Sequence, residues 1–157
     1  MLIKDLIDED IVNYKKTSMF IAFPNCTFKC EKECGIKCCQ NSELALQQNI
    51  SVDITTIVDR YITNPLTQAI VLGGLEPLDS WEDVVQLIHE FRKYSEDDIV
   101  IYTGYKEEEI KEKVNYLKQY KNIIIKFGRF VPNKPHIFDP ILGVNLASDN
   151  QYARKVS

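Results

Sequence analysis

The chain is 157 residues long with a formal net charge of −4, and 45% of its residues are hydrophobic, which is enough for one domain with a buried core. The length falls short of the roughly 250 residues of a complete eight-fold β/α barrel. The net negative charge argues against non-specific binding to nucleic acid, and no run of about 18 apolar residues is present to span a membrane. We therefore expect a single domain over residues 1–157, with no direct nucleic-acid or membrane partner.

The first ten residues, MLIKDLIDED, are acidic. A secretory signal would begin with a positively charged segment followed by an apolar run, and this sequence has neither feature. We therefore expect a cytoplasmic location, where cysteines usually remain reduced.

Four short, nearly continuous apolar segments predict buried strands, because each is bounded by turn-forming residues. They span residues 17–23, 68–72, 98–103 and 122–127. Amphipathic or charged segments between them predict helices at 42–48, 53–62, 80–94 and 106–120. This repetition of strand and helix is typical of βαβ units. We predict an α/β fold with a mainly parallel sheet, arranged as a single-domain partial (open) β/α barrel.

Five cysteines lie within fourteen residues, and the rest of the chain has none. They are Cys26, Cys30, Cys34, Cys38 and Cys39. Thiolates are the soft ligands that zinc and iron–sulfur clusters prefer, so a loop that concentrates them is typical of a metal site. A disulfide framework is disfavoured because the number of cysteines is odd and no secretory signal is present.

Two kinds of metal centre fit this loop. Cys26, Cys30, Cys34 and either Cys38 or Cys39 can supply four thiolates to a closed tetrahedral zinc site. An iron–sulfur cluster is the other possibility, since it too is held by cysteine thiolates. The cysteines alone do not decide between the two metals, so the rest of the chain has to be considered.

Unusual loops follow three of the predicted strands. The first strand leads into the cysteine loop at residues 24–41, the second ends in Gly73-Gly74-Leu75-Glu76-Pro77, and the third ends in Thr103-Gly104-Tyr105. In parallel β/α folds, ligands collect at the carboxyl ends of the strands. The three loops are therefore predicted to meet on one face of the domain and to form its site.

Several short motifs occur in the order in which they are found in one enzyme family. Cys26-x3-Cys30 and Cys39-Gln40-Asn41 match the beginning and the end of its cysteine motif, and residues 73–77 match its glycine-rich loop with one extra residue. Further matches lie at residues 10–13, 102–105, 128–130 and 147–151. On these motifs the chain resembles the small radical S-adenosylmethionine enzymes, and most closely the activating proteins of anaerobic ribonucleotide reductases.

The cysteine loop departs from the family pattern, which is Cys-x3-Cys-x2-Cys. Eight residues separate Cys30 from Cys39 here, and two of them are Cys34 and Cys38. We take Cys39 as the third ligand because the residues after it match the family, with Cys34 as the alternative. Cys38 is interpreted as a small packing residue. The aspartate that precedes the family's Gly-Arg-Phe segment is missing, since Phe127 stands in its place.

The resemblance implies a domain of the radical S-adenosylmethionine type and a [4Fe–4S] cluster held by Cys26, Cys30 and Cys39 as metal ligands and catalytic residues. Three thiolates leave one iron open, and that iron would take the amino and carboxylate groups of S-adenosylmethionine. The resemblance also implies a set of residues that bind this cofactor around the strand ends. These are Gly73, Gly74, Glu76, Asn41, Thr103, Asn150 and Gln151.

The implied reaction is the reductive cleavage of S-adenosylmethionine, with formation of a glycyl radical on a partner protein. The expected partner is the large subunit of an anaerobic ribonucleotide reductase, and the expected electron donor is a one-electron reductant such as flavodoxin or ferredoxin. One alternative is a radical enzyme that modifies another protein or a small molecule. An alternative of a different class is a zinc-binding interaction module, in which the cysteine loop is structural.

Overall fold

A computed structural model describes residues 1–157, which form ten strands, five α-helices and two short 3-10 helices. The strands are β1 (Leu2–Ile3), β2 (Asp5–Asp10), β3 (Ser18–Phe23), β4 (Ile50–Ser51), β5 (Ala69–Gly74), β6 (Asp98–Tyr102), β7 (Ile123–Phe127), β8 (Ile137–Asp139), β9 (Val144–Leu146) and β10 (Tyr152–Lys155). The α-helices are α1 (Lys29–Cys34), α2 (Ser42–Leu46), α3 (Ile54–Thr63), α4 (Trp81–Phe91) and α5 (Lys111–Leu117). The 3-10 helices are Pro77–Ser80 and Glu107–Glu109.

A six-stranded sheet in the order β10-β7-β6-β5-β3-β2 lies at the centre of the fold. Its four inner strands, β3, β5, β6 and β7, are parallel, while β2 and β10 pair antiparallel at the two edges. The inner four are the strands predicted from the sequence, and their positions are confirmed. The sequence does not predict β2 or β10, because their charged residues hide the strand pattern.

Three helices, α3, α4 and α5, pack on one face of this sheet. Side chains alternate along a strand, and on this face Met19, Ile21 and Phe23 of β3 join the apolar sides of α3, α4 and α5 in the larger core. The helix predicted at 80–94 is confirmed as α4, and its apolar residues Val84 and Phe91 are fully buried. This core therefore fixes the parallel strands and the direction in which they end.

The opposite face of the sheet carries a smaller core. Val71, Val100 and Ile124 point to this side and are covered by Tyr14 and Leu146. Leu146 belongs to β9, which forms a two-stranded hairpin with β8. Between this cover and the carboxyl ends of the parallel strands the fold leaves a cavity.

The sheet does not close into a barrel, because its edge strands β2 and β10 do not pair with each other. The fold is mixed α/β, with parallel central strands and antiparallel edges. Its assignment to the open barrel of the radical S-adenosylmethionine enzymes stays a prediction. None of the helices has the length and apolar character needed to cross a lipid bilayer.

One predicted helix is interrupted. The segment 106–120 forms a 3-10 helix at Glu107–Glu109 and then α5, because Ile110 leaves the helical conformation at φ −129°. Ile110 is buried, and the Glu109 carboxylate accepts a hydrogen bond from the backbone N–H of Lys106. The prediction of one continuous helix is therefore wrong. The sequence also gave no indication of α1, the short helix inside the cysteine loop.

Candidate metal centre

A cavity of about 430 Å³ lies at the carboxyl ends of the four parallel strands. Each end contributes to its wall: Cys26 follows β3, Gly74 ends β5, Thr103 follows β6 and Gly128 follows β7. The carboxyl ends of parallel strands share one edge of a sheet, which is why loops distant in sequence meet here. The predicted convergence of the cysteine, glycine-rich and Thr103 loops is confirmed.

Three of the five cysteines, Cys26, Cys30 and Cys39, line this cavity. Cys30 lies in α1. Cys39 is held near it by a hydrogen bond of 3.3 Å from its backbone N–H to the carboxylate of Glu31, also in α1. The structure thus brings together the three residues predicted to be cluster ligands.

The cavity favours the neutral form of two of its cysteine thiols, those of Cys26 and Cys30, when no metal is bound. Burial raises the pKa of Cys26 to about 11, and the negative charges of Glu76 and Asp79 contribute to the increase. Burial also raises the pKa of Cys30, with a further contribution from the nearby Cys39. Loading a metal centre therefore has to displace protons, and the positive charge of the metal provides the driving force.

The remaining two cysteines contact each other outside the cavity. The sulfur atoms of Cys34 and Cys38 are 2.8 Å apart, and neither residue lines the cavity. This placement favours Cys39 over Cys34 as the third ligand. Cys38 is partly buried against Cys34, and its interpretation as a small packing residue stays a prediction.

The donors at the cavity suit a cluster better than a single ion. Nowhere in the chain do three or more Cys, His, Asp or Glu side chains form a group that could hold one metal ion. A closed zinc site needs four donors at about 2 Å from the same atom. In a cluster, each thiolate binds a different iron, so the sulfur atoms need not converge on one point. Three cysteine thiols facing one cavity fit a [4Fe–4S] cluster.

A match to a protein family identifies the kind of centre. The sequence model of the 4Fe-4S single cluster domain family matches residues 15–147, a span that includes all five cysteines. The chain belongs to this family. No curated protein and no solved structure matches it. The match decides in favour of an iron–sulfur cluster over the zinc alternative.

At the edge of the iron–sulfur site, Gly74 brings β5 close to β3. Its φ is +87°, and a Cβ atom there would lie 2.7 Å from the Cα of Ala22 and 2.8 Å from the backbone nitrogen of Phe23. Its carbonyl oxygen accepts a hydrogen bond of 2.7 Å from the side-chain amide of Asn41. Because Asn41 follows Cys39 closely in the chain, this bond fixes the end of the cysteine loop to the glycine-rich loop.

Glu76 joins the ends of two parallel strands. Its Oε1 accepts hydrogen bonds from the backbone N–H of Leu78 at 3.1 Å and the hydroxyl of Thr103 at 2.8 Å, and its Oε2 accepts one from the N–H of Gly104 at 2.8 Å. Burial raises the pKa of Glu76 to about 7, although these hydrogen bonds act in the opposite direction. Glu76 and Thr103, both predicted to bind a cofactor, are thus bonded to each other in the cavity wall.

Most of the residues predicted to bind a cofactor lie around the cavity. Those that line it are Asn41, Gly73, Gly74, Glu76, Thr103 and Gln151. Gln151 donates a hydrogen bond of 3.2 Å to the carbonyl of Gly128. Asn150 is the exception, because it does not line the cavity and its amide donates to the carbonyl of Arg129 at 2.8 Å. The structure therefore does not bring Asn150 to the site.

Two buried cationic residues of the cavity, Arg129 and Lys126, are missing from the set predicted from the sequence. Arg129 makes a bidentate ion pair with Glu109, with both nitrogen–oxygen distances at 2.7 Å. The hydrogen bonds from Arg129 lower the pKa of Glu109 to about 2. Lys126 is buried in β7. The signal that could have identified Lys126 is its position as the only charged residue in the apolar segment Ile123–Phe127.

Proposed function

We propose that the protein is a radical S-adenosylmethionine enzyme that forms a glycyl radical on a partner protein. The observation that carries this proposal is the meeting of Cys26, Cys30 and Cys39 with Gly73 and Gly74 in one cavity. The family match supports the cluster, and the order of the motifs supports the cofactor. The partner that we expect is the large subunit of an anaerobic ribonucleotide reductase, with flavodoxin or ferredoxin as the electron donor.

Each part of the cavity has a task in this reaction. Cys26, Cys30 and Cys39 would hold the cluster, which when bound would supply the electron for the reductive cleavage of a carbon–sulfur bond of S-adenosylmethionine. Gly74 exposes its backbone to the ligand, and its carbonyl oxygen keeps a free lone pair beside the bond from Asn41.

Exposed apolar side chains near the cavity support a protein as the substrate. Ile11 and Val12 are 75% and 71% exposed, and Val12 also lines the cavity. Leu46 is 88% exposed and lies in the same helix as Leu44, another residue of the cavity wall. Ile11 and Val12 are consecutive, and contiguous exposed apolar surface is typical of protein–protein contacts. A partner that covered them would place its own backbone over the cavity.

The proposal is tested with protein that is purified and reconstituted without oxygen. It should bind about four iron and four sulfide ions per chain and, with a strong one-electron reductant, should cleave S-adenosylmethionine to methionine and 5′-deoxyadenosine. Addition of the reductase subunit should give the electron paramagnetic resonance signal of an organic radical on that subunit. Protein with Cys39→Ala serves as the control and should give neither product nor signal.

Two results would contradict different parts of the proposal. If the reduced, cluster-loaded protein produces no 5′-deoxyadenosine with or without the reductase subunit, the enzyme class is wrong. If 5′-deoxyadenosine forms but no radical appears on the reductase subunit, the enzyme class stands and the partner is wrong. A screen of other glycyl-radical proteins for the same signal would then identify the substrate.

A further inference from the structure

A buried lysine lies beside the cavity of the iron–sulfur site. Lys126 is near the end of β7, is only 6% exposed and lines the cavity. It follows Ile124 by two positions, so both side chains point to the same face of the sheet. That face carries the smaller core and the cavity, whereas the helices cover the other one.

The ammonium group of Lys126 has few partners. It donates one hydrogen bond, to the carbonyl oxygen of Gly128 at 2.9 Å, and its nitrogen is 5.9 Å from the centre of the Tyr102 ring. No ion pair of the chain includes Lys126. Glu76 is the acid whose charge acts on Lys126, but both of its oxygen atoms are already hydrogen-bonded to other groups.

A buried charge without a counter-ion is unfavourable because the protein interior solvates ions poorly. The pKa of Lys126 reflects this, since burial lowers it to about 8. Arg129, the other buried cation of the cavity, does not share the problem because Glu109 neutralises it. An anion placed in the cavity would therefore be attracted to Lys126 and would use the hydrogen-bond donors that it has left.

We propose that Lys126 binds the carboxylate of the methionine part of S-adenosylmethionine. This inference rests on the proposed function. The carboxylate is the only anionic group of that ligand, while its ammonium and sulfonium groups are cations that Lys126 would repel. A carboxylate has two oxygen atoms, so one can accept a hydrogen bond from Lys126 while the other stays free for the iron.

The test compares S-adenosylmethionine with its decarboxylated form by equilibrium dialysis against reconstituted, oxygen-free protein. Lys126→Met should weaken the binding of S-adenosylmethionine by about tenfold to a hundredfold, the usual effect of losing a hydrogen bond to a charged group. The affinity for the decarboxylated compound should not fall. The preference of the protein for the carboxylated ligand should therefore shrink by the same factor.

Two further variants make the comparison specific. Lys126→Gln keeps a hydrogen-bond donor near Gly128 but loses the charge, and it should behave like Lys126→Met. Lys113→Met is the matched control, because Lys113 is partly buried and likewise donates to a backbone carbonyl, that of Leu78, but lies outside the cavity. It should keep the full preference. A variant is intact if its iron content and circular dichroism spectrum equal those of the wild type. If Lys126→Met does not bind iron, Lys126→Gln is compared with the wild type in its place.

The outcomes separate this inference from the proposed function. If the wild type binds S-adenosylmethionine and the Lys126 variants keep the full preference, the inference is wrong and the function stands. An equal loss of affinity for both compounds would also overturn it, because that result indicates a general change of the cavity. If the wild type does not bind S-adenosylmethionine at all, the proposed function is wrong and the assignment of its carboxylate fails with it.

Discussion

At the scale of single residues, the five cysteines divide into two groups. Cys26, Cys30 and Cys39 line the cavity, whereas Cys34 and Cys38 contact each other outside it. We expect replacement of any of the first three by Ala to abolish the brown colour and the bound iron of the reconstituted protein, because the cluster would lose a ligand. Absorption spectra and iron analysis of these three variants measure the loss.

The variants Cys34→Ala and Cys38→Ala are the matched controls and should retain the cluster. They remove a thiol from the same loop without touching the cavity, so they separate the loss of a ligand from a general disturbance of the loop. Loss of the cluster in Cys34→Ala, together with its retention in Cys39→Ala, would show that Cys34 is the third ligand.

Glu76 gives the protein a pH dependence of definite sign. Burial raises its pKa from an ordinary value of 4.5 to about 7. Between these two values the unfolded chain has lost the proton that the folded protein still holds, so the contribution of Glu76 to stability falls as the pH rises. Relative to Glu76→Gln, which does not titrate, the wild type should lose about 3 kcal/mol of unfolding free energy between pH 4.5 and 7.

The measurement is denaturant unfolding of the wild type and of Glu76→Gln at a series of pH values. The difference in unfolding free energy between the two proteins should change between pH 4.5 and 7 and should be constant above pH 7. Glu82→Gln is the control, because Glu82 is an exposed carboxylate at the start of α4, and its difference from the wild type should not change in this way. A flat difference for Glu76→Gln would mean that the pKa of Glu76 is not raised.

At the scale of elements, the close approach of β5 to β3 limits which residue can occupy position 74 of the glycine-rich loop. An Ala side chain at position 74 would lie 2.7 Å from the Cα of Ala22, and backbone cannot move aside without shifting β3. We expect Gly74→Ala to lower the free energy of unfolding by clearly more than the roughly 1 kcal/mol that a positive φ costs a residue with a side chain. Thermal unfolding of the reconstituted protein measures the loss.

Gly35 is the matched control for this substitution. Its φ is +71°, but nothing lies within 4 Å of a Cβ atom built there. Gly35→Ala should therefore show only the conformational cost. Equal losses in the two variants would mean that close backbone approach is not what requires glycine at position 74.

The inner strands could be predicted because parallel strands buried on both faces are nearly continuous apolar segments. The edge strand β2 could not, since its sequence, DLIDED, has acidic residues on an exposed side. The strands β8 and β9 have three residues each, which is too short for a pattern to emerge. At the site, the residue type alone suggests a role for the cysteines and the glycines. A role for Lys126 is suggested only by the structure, which shows that this buried lysine has no counter-ion.

At the scale of the whole molecule, the two faces of the sheet serve different purposes. The helices α3, α4 and α5 form the larger core on one face, while the short helices α1 and α2 contribute Cys30 and Leu44 to the wall at the strand ends. On the other face, the thinner cover that includes Leu142 and Leu146 leaves room for a ligand at those ends. The cavity is thus built by all parts of the chain, from Val12 near the beginning to Gln151 near the end. Local sequence patterns predict the strands but not this assembly.

The last prediction concerns the surface around the cavity, and it rests on the proposed function. Ile11 is 75% exposed and precedes Val12, a residue of the cavity wall. If a partner protein covers this surface, Ile11→Asp should lower the yield of radical on the partner by about tenfold, because docking would then have to desolvate a charge. Iron content and the slow cleavage of S-adenosylmethionine without partner should not change. Tyr94→Asp is the matched control, since Tyr94 is 60% exposed but follows α4 on the helical face of the sheet and does not line the cavity. Electron paramagnetic resonance over a series of partner concentrations distinguishes the cases, and a wild-type yield from Ile11→Asp would show that the partner docks elsewhere.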